Sequence, residues 1–278
     1  MIVDAHHHLW KPGRNDYDWM RGAPDILLRD YLPDDLAPVL QRFGVVKTIV
    51  VQAAQTQAET DFLLDLAETT DFIAGVVGWL DLESDDFEAQ LSIYRNRPKF
   101  VGIRPMLQDL PDDDWIVRPQ VIRSLKAIAE AGVAFDFLTY PRHLGHVATV
   151  LEQIPGLKAV IDHLSKPPIG SGELDPWRAA IERVARFENV HCKLSGLVTE
   201  AEPGSWRVRD LQPYVHHALA CFGPERLMFG SDWPVCRIAG EYADVLAATM
   251  RALPAELSAD ARIFSRNAVR FYGLTSID

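Results

Sequence analysis

Short runs of β-branched and apolar residues alternate with stretches whose apolar positions recur at helical spacing, and this alternation continues along almost the whole chain. The runs predict strands at 47–52, 72–79, 100–105, 133–138, 157–162, 190–193 and 226–230, preceded by a first strand that runs from Ile2 into His6-His7-His8. Between them lie amphipathic segments. One helix is predicted at 33–44, where Pro33 suits a first turn and Gly44 a stop. Thr56 and Glu59 have the spacing of a capping box ahead of Phe62, Leu63, Leu66 and Ala67. Further helices are expected at 84–94, through Ile122, Leu125 and Ile128 to Gly132, and through Leu144, Val147, Leu151 and Ile154. Another is expected after Asp175 as cap with Pro176 in its first turn, and the last three at 211–222, 241–253 and 259–271. A loop at 10–31, rich in aromatic and charged residues, is long enough to be a lid or a binding segment.

Eight strands separated by seven helical stretches, with helices after the last strand, is the pattern of an α/β (β/α)8 TIM barrel with a long first βα loop and an extra C-terminal helix. A doubly wound nucleotide-binding sheet would place a glycine-rich turn after its first strand. Here that turn is His6-His7-His8, so the barrel is preferred. The length of 278 residues is near the roughly 250 usual for one such barrel, and one domain is expected over 1–278.

Composition narrows the partners. A formal charge of −11 argues against nucleic acid and anionic membranes, which call for a basic face. No apolar run approaches a membrane span and no export signal opens the chain, so a cytoplasmic protein is expected. Cys192, Cys221 and Cys236 are too few for a disulfide framework and are expected as free thiols. Whether the chain works as a monomer or a homodimer is left open.

Catalytic groups of such a barrel sit at the C-terminal ends of its strands. The polar residues there are His6 and His8, Gln52, Arg104, His163, Lys193 and Asp232. Side chains two apart on a strand share a face, so His6 and His8 form a usable pair for one metal ion while His7 points away. His143, His146, His191, His216 and His217 fall before or between strand ends and are expected on helices or at the surface. Cys236 has no evident partner base and is expected as a buried or pocket-lining thiol.

Six stretches then act together: Asp4-Ala5-His6-His7-His8-Leu9-Trp10, Tyr17-Asp18-Trp19, Gly102-Ile103-Arg104-Pro105, Ile161-Asp162-His163-Leu164-Ser165-Lys166-Pro167, Lys193-Leu194-Ser195-Gly196-Leu197 and Phe229-Gly230-Ser231-Asp232-Trp233-Pro234. In this order the chain resembles the amidohydrolase superfamily, and within it the lactonase branch that includes L-fuconolactonases and L-rhamnonolactonases. The resemblance implies a barrel hydrolase in which His6, His8, His163 and Asp232 surround one divalent metal, zinc first, or in some relatives an unmetallated site. Two-metal members carry a bridging lysine at the end of strand four and histidines on strands five and six. Here strand four ends in Arg104, and Ala134-Phe135-Asp136-Phe137-Leu138 has no histidine, so two metals are not expected.

Opening a lactone needs an activated water, a stabilised oxyanion and a proton for the leaving alkoxide. Asp232 is assigned as base and then acid, with a zinc-like ion on His6, His8 and His163, or those histidines with Arg104 or Lys193, supplying the positive field. Trp10, Tyr17 and Trp19 are expected as a wall for the apolar face of a sugar lactone, with Gln52 also contacting substrate. Arg14, Arg21 and Arg29 of the same loop keep a carboxylated lactone in view. A metal-dependent decarboxylase of the same superfamily remains the alternative reaction.

Overall fold

The computed structural model describes residues 1–14 and 16–274. Its strands are β1 (Ile2–His7), β2 (Val45–Val51), β3 (Ile73–Gly78), β4 (Phe100–Ile103), β5 (Ala134–Phe137), β6 (Ala159–Ile161), β7 (Val190–Leu194) and β8 (Leu227–Phe229). They pair in sequence order and every pairing is parallel. The chain just beyond β8 completes the circle: Asp232 N donates to His6 O at 2.8 Å and His8 N to Trp233 O at 2.7 Å. The result is the expected TIM barrel.

The outer layer is α1 (Pro33–Phe43), α2 (Gln57–Glu68), α3 (Phe87–Tyr94), α4 (Pro119–Ala131), α5 (Leu144–Gln153), α6 (Trp177–Ala185), α7 (Val208–Phe222), α8 (Tyr242–Ala252) and α9 (Asn267–Tyr272). Gly44 and Gly132 end α1 and α4 in the left-handed region, as their positions in the sequence suggest. Three local expectations change. Thr56 accepts from Glu59 N, but the Glu59 carboxylate does not complete the capping box, because it turns inward to Tyr17 and Ala53 N. Asp175 does not cap α6, since the Arg178 guanidinium takes its carboxylate at 2.6 Å. The stretch at 259–271 is a π-turn, Arg262–Arg266, running into the short α9.

Inside the barrel, Val3, Ala5, Ile49, Val51, Val77, Ala134, Val160 and Met228 form an apolar layer that packs on Ala268, Phe271 and Tyr272 at its base. The larger core lies between strands and helices. Among the described residues no helix is long and apolar enough to cross a membrane.

The first βα loop is packed rather than loose. Trp10 and Tyr31 exchange backbone hydrogen bonds at 3.0 Å, and the Trp10 indole, fully buried, donates to Leu27 O and Arg29 O. Trp10 meets the Trp19 ring edge-on at 5.2 Å between centroids and the Tyr31 ring at 5.5 Å. Such contacts add about 0.5–1.5 kcal/mol each beyond burial.

Candidate active site

The site begins with an irregularity in β1. Its register against β2 slips between Asp4 and His7. Asp4 ties β1 to the exit of β8 and to α8, accepting from His6 N at 3.1 Å, Ser231 N at 2.9 Å and the Tyr242 hydroxyl at 3.0 Å. Burial pushes its carboxyl up to about 6 against those hydrogen bonds. His7 faces Thr48, with Nε2 2.8 Å from Oγ1. His6 and His8 meet instead, Nε2 to Nε2 at 3.2 Å.

Asp232 joins them from the end of β8. Its Oδ1 lies 3.3 Å from His8 Nε2, 3.7 Å from His6 Nε2 and 3.9 Å from His163 Nε2. Burial alone would raise this carboxyl; His163, His8 and His6, gathered around it, outweigh burial and hold it well below the usual carboxylate range. Burial also lowers His163 to about 4 and His6 well below its ordinary value, so both rings are neutral at pH 7. Neutral imidazole is the ligating form. His8 Nδ1 lies 2.8 Å from Val51 O, which only accepts, so the proton sits on Nδ1 and the Nε2 lone pair faces Asp232. His6 with His8 and Asp232, and His6 with His163 and Asp162, are each donor groups close enough for one ion. The three imidazoles with Asp232, their second nitrogens held from outside, offer the nitrogen and oxygen donors that suit zinc.

His163 reaches this point through an unusual backbone. His163, Leu164, Ser165 and Lys166 are four successive non-glycine residues at positive φ, 53°, 51°, 59° and 51°. Each costs about 1–2 kcal/mol against the right-handed alternative. Buried anchors hold the turn: Trp177 Nε1 donates to Leu164 O at 2.7 Å, and Ser165 Oγ lies 2.7 Å from Thr139 Oγ1. Gly196 makes room beside it, for a Cβ there would sit 2.7 Å from His163 Nδ1. Ser195 Oγ bonds the same nitrogen at 2.8 Å.

Below the four converging groups lies a second, fully buried layer of charge. Lys193 Nζ is 2.5 Å from Asp136 Oδ2, 2.9 Å from Asp162 Oδ1 and 3.1 Å from His6 Nδ1. Asp162 also lies 3.3 Å from His6 Nδ1 and 3.4 Å from Arg104 Nη1. Burial tends to raise Asp162, but Lys193 and His6 reverse the balance and hold it well below the ordinary value. Asp136 goes the other way, with burial pushing it up to about 6. Asp162 thus has the place of a support for His6.

A cavity of about 160 Å³ opens above these residues, lined by His8, Arg104, His163 and Asp232 at its polar end. Trp10, Trp19, Ala53, Met106, Leu138 and Val235 give it apolar walls, and Gln108, Asp109 and Lys166 complete it. Two residues expected to contact substrate, Tyr17 and Gln52, and one expected to act in catalysis, Lys193, are not part of that lining. Tyr17 is turned away because its buried phenol donates to Glu59 Oε2 at 2.7 Å, which makes it a loop anchor. Gln52 lies beneath Arg104, its Nε2 donating to Arg104 O at 2.7 Å and its own carbonyl accepting from Arg104 Nη2. Lys193 is fully buried among carboxylates, so its contact is with His6 and not with the cavity.

Other expectations fare differently. His143, expected on a helix or at the surface, lies in the helical turn Pro141–His143 and is buried between Tyr140 N and Asp113 Oδ1, at 3.0 and 2.8 Å, because its ring closes the turn before α5. His191 is partly buried beside Phe271, while His146 and His217 are partly buried and His216 is exposed. Cys236 is buried and its thiol pushed well up by burial, in keeping with an inert role. Asp4, Asp136, Asp162 and Lys166 were given no role in the sequence, and Glu59 only that of a cap. A lone carboxylate inside an apolar strand, as in Ala134-Phe135-Asp136-Phe137, is the available signal, since such a group is almost never buried unpaired.

With this geometry in hand, the comparisons agree. The family model described as amidohydrolase matches residues 3–274. An L-fucono-1,5-lactonase of Burkholderia ambifaria is 46% identical over 97% of this chain and 94% of its own length. Another, from Burkholderia multivorans, is 36% identical over 98% of this chain and 96% of its own. A crystal structure of an amidohydrolase from Burkholderia multivorans with bound zinc superposes with a TM-score of 0.92 at 35% identity, covering 99% of this chain and 100% of that one. Fold, strand-end chemistry and family match coincide, and the chain belongs to the amidohydrolase family.

Proposed function

We propose that this protein is a hydrolase that opens a sugar lactone to the aldonic acid, with L-fucono-1,5-lactone as first candidate. The observation that carries the reading is the convergence of Asp232 Oδ1 on the Nε2 atoms of His6, His8 and His163 at the floor of a small, half-apolar cavity. Its volume of about 160 Å³ is below the roughly 300–1,000 Å³ of sites for drug-sized ligands and suits a single monosaccharide-sized ring. The relatives named L-fucono-1,5-lactonase and the zinc-bound neighbour support the same chemistry.

In the hydrolysis, a water oxygen bonds to the lactone carbonyl carbon as the ring C–O bond breaks. Asp232, held ionised, takes a proton from that water and returns it to the departing ring oxygen, which becomes a hydroxyl. Arg104 keeps a fixed positive charge at the cavity wall, 3.4 Å from His6 Nε2, where it can stabilise charge growing on the carbonyl oxygen. Lys193 and Asp162 act from below by holding the His6 ring. One divalent metal, zinc first, would be held by His6, His8, His163 and Asp232, and when bound it supplies Lewis acidity that polarises a carbonyl and lowers the pKa of water.

The cavity also bears on which lactone. Arg14 and Arg29 are engaged by Asp16 and Asp35, Arg21 by Asp18, and none of the three lines it. The loop arginines are thus spent on their own aspartates, away from the cavity. A neutral sugar lactone is therefore favoured. We extend the reading to a cytoplasmic enzyme whose three cysteines are free thiols, built as one domain over 1–278 and working as a monomer or homodimer.

Acid release followed with a pH indicator on L-fucono-, L-rhamnono- and D-sugar lactones plus one carboxylated lactone tests this. Turnover confined to the sugar lactones is expected. Turnover of the carboxylated lactone alone, or carbon dioxide from an aromatic carboxylate with no lactone opened, would overturn it.

A further inference from the structure

The geometry points to Lys166 as a further substrate-contacting residue, one whose ammonium binds the carboxylate formed at the lactone carbonyl carbon and the charge that precedes it. This rests on the proposed lactone hydrolysis.

Three observations carry it. First, Lys166 lines the same cavity as His8, Arg104, His163 and Asp232. Second, it closes the left-handed turn that begins at His163, donating its backbone N–H to His163 O at 2.8 Å. In a turn with this i to i+3 bond, side chains three apart stack on one side. Leu164 and Ser165 are the buried anchors, so the strained backbone holds His163 and Lys166 together at the cavity. Third, the ammonium is not used up by the fold. Its partners are Glu200, at 3.6 Å, and the Tyr140 ring, with Nζ 5.5 Å from the centroid, and the Lys166 and Glu200 side chains keep partial exposure, 18% and 23%. Burial and the charge of Asp232 push the Glu200 carboxyl up while Lys166 draws it down, so this pair lies within reach of the field at Asp232.

The reaction supplies the ligand. A neutral lactone offers an ammonium no charge, the oxyanion offers one during ring opening, and the product carries a full carboxylate. An interaction that grows along this path accelerates the chemical step rather than merely tightening substrate binding. Glu200 acts as the placeholder that holds the ammonium until the carboxylate forms.

The test measures the affinity of L-fuconate by calorimetry and steady-state turnover of L-fucono-1,5-lactone for wild type, Lys166→Met, Lys166→Arg and Glu200→Gln. Lys166→Met is expected to weaken L-fuconate about tenfold and lower kcat by a similar factor, with KM changed less than about twofold. Lys166→Arg is expected to stay within about threefold of wild type. Glu200→Gln frees the ammonium and is expected to tighten L-fuconate about two- to threefold. Unchanged L-fuconate affinity in Lys166→Met would overturn the assignment. So would weaker L-fuconate binding in Glu200→Gln matching that of Lys166→Met, since a merely structural ion pair makes the two variants alike. Wild type that fails to open the lactone overturns the functional reading and this inference with it, whereas normal wild-type turnover beside unaffected Lys166 variants overturns the inference alone.

Discussion

Within the barrel, the same strands change character in one or two residues. On β5, apolar Ala134 is followed by Asp136; Val160 on β6 is followed by Asp162 just past the strand's end; on β1, Ala5 is followed by His6. The lower layer is held mainly by burial, its Val, Ile and Met side chains contributing about 1.5–3 kcal/mol each, with one link upward from the Tyr272 hydroxyl, which donates to Asp136 Oδ2 at 2.8 Å. The upper layer buries Lys193, Arg104, Asp136 and Asp162 together, where Coulomb attraction must offset the desolvation of every charge. One layer is there for stability and the other for chemistry, and substitutions should separate them.

The largest stability effect is expected from breaking the upper layer at its centre. Lys193→Met leaves Asp136 and Asp162 without their shared cation and should lower unfolding free energy by about 3–5 kcal/mol in a denaturant titration. Adding Asp136→Leu should recover part of that loss while turnover stays impaired. Met228→Ala, in the lower layer, should cost about 2–4 kcal/mol and leave kcat near wild type at a temperature where the variant is folded. If Met228→Ala lowered kcat as strongly as Lys193→Met, the division into layers would fail.

Metal binding sharpens the comparison from above. Zinc at a hundredfold excess over its Kd should stabilise the wild type by about 2.7 kcal/mol in thermal melts, an increment lost in His8→Ala and kept in Met228→Ala. Glu59 gives the smallest effect and a sign. Burial raises its carboxyl from 4.5 to about 7, so between those values the folded state binds the proton more tightly than the unfolded one. Stability from this group is present below about pH 4.5 and lost as pH rises through 7. Relative to Glu59→Gln, wild type should therefore be better at pH 5 than at pH 8, by about 2 kcal/mol. An equal gap at both pH values would contradict the assignment.

What the sequence made visible follows from locality. Strand runs such as 47–52 and the His6/His8 alternation depend on neighbouring residues, so the barrel and half of the polar floor could be read directly. Asp232, His163 and Arg104 followed from their places at strand ends. Asp162 and Lys193 were harder to separate into roles, because only the closed barrel shows that one pairs with the other beneath His6. Tyr17 and Glu59 were misplaced for the same reason: a loop phenol and a helix first-turn carboxylate find each other across 42 residues. Lys166 was invisible as a site residue because its direction is set by a left-handed turn of non-glycine residues, a conformation with no local sequence signature.

The central claim is that Asp232 moves the proton in lactone opening, and it is tested most directly by kcat of Asp232→Asn on L-fucono-1,5-lactone beside the wild type. The Asn side chain keeps the shape and loses the base. A fall of about 10²–10⁴-fold with L-fuconate still bound is the expected result. Turnover within tenfold of wild type would contradict the mechanism.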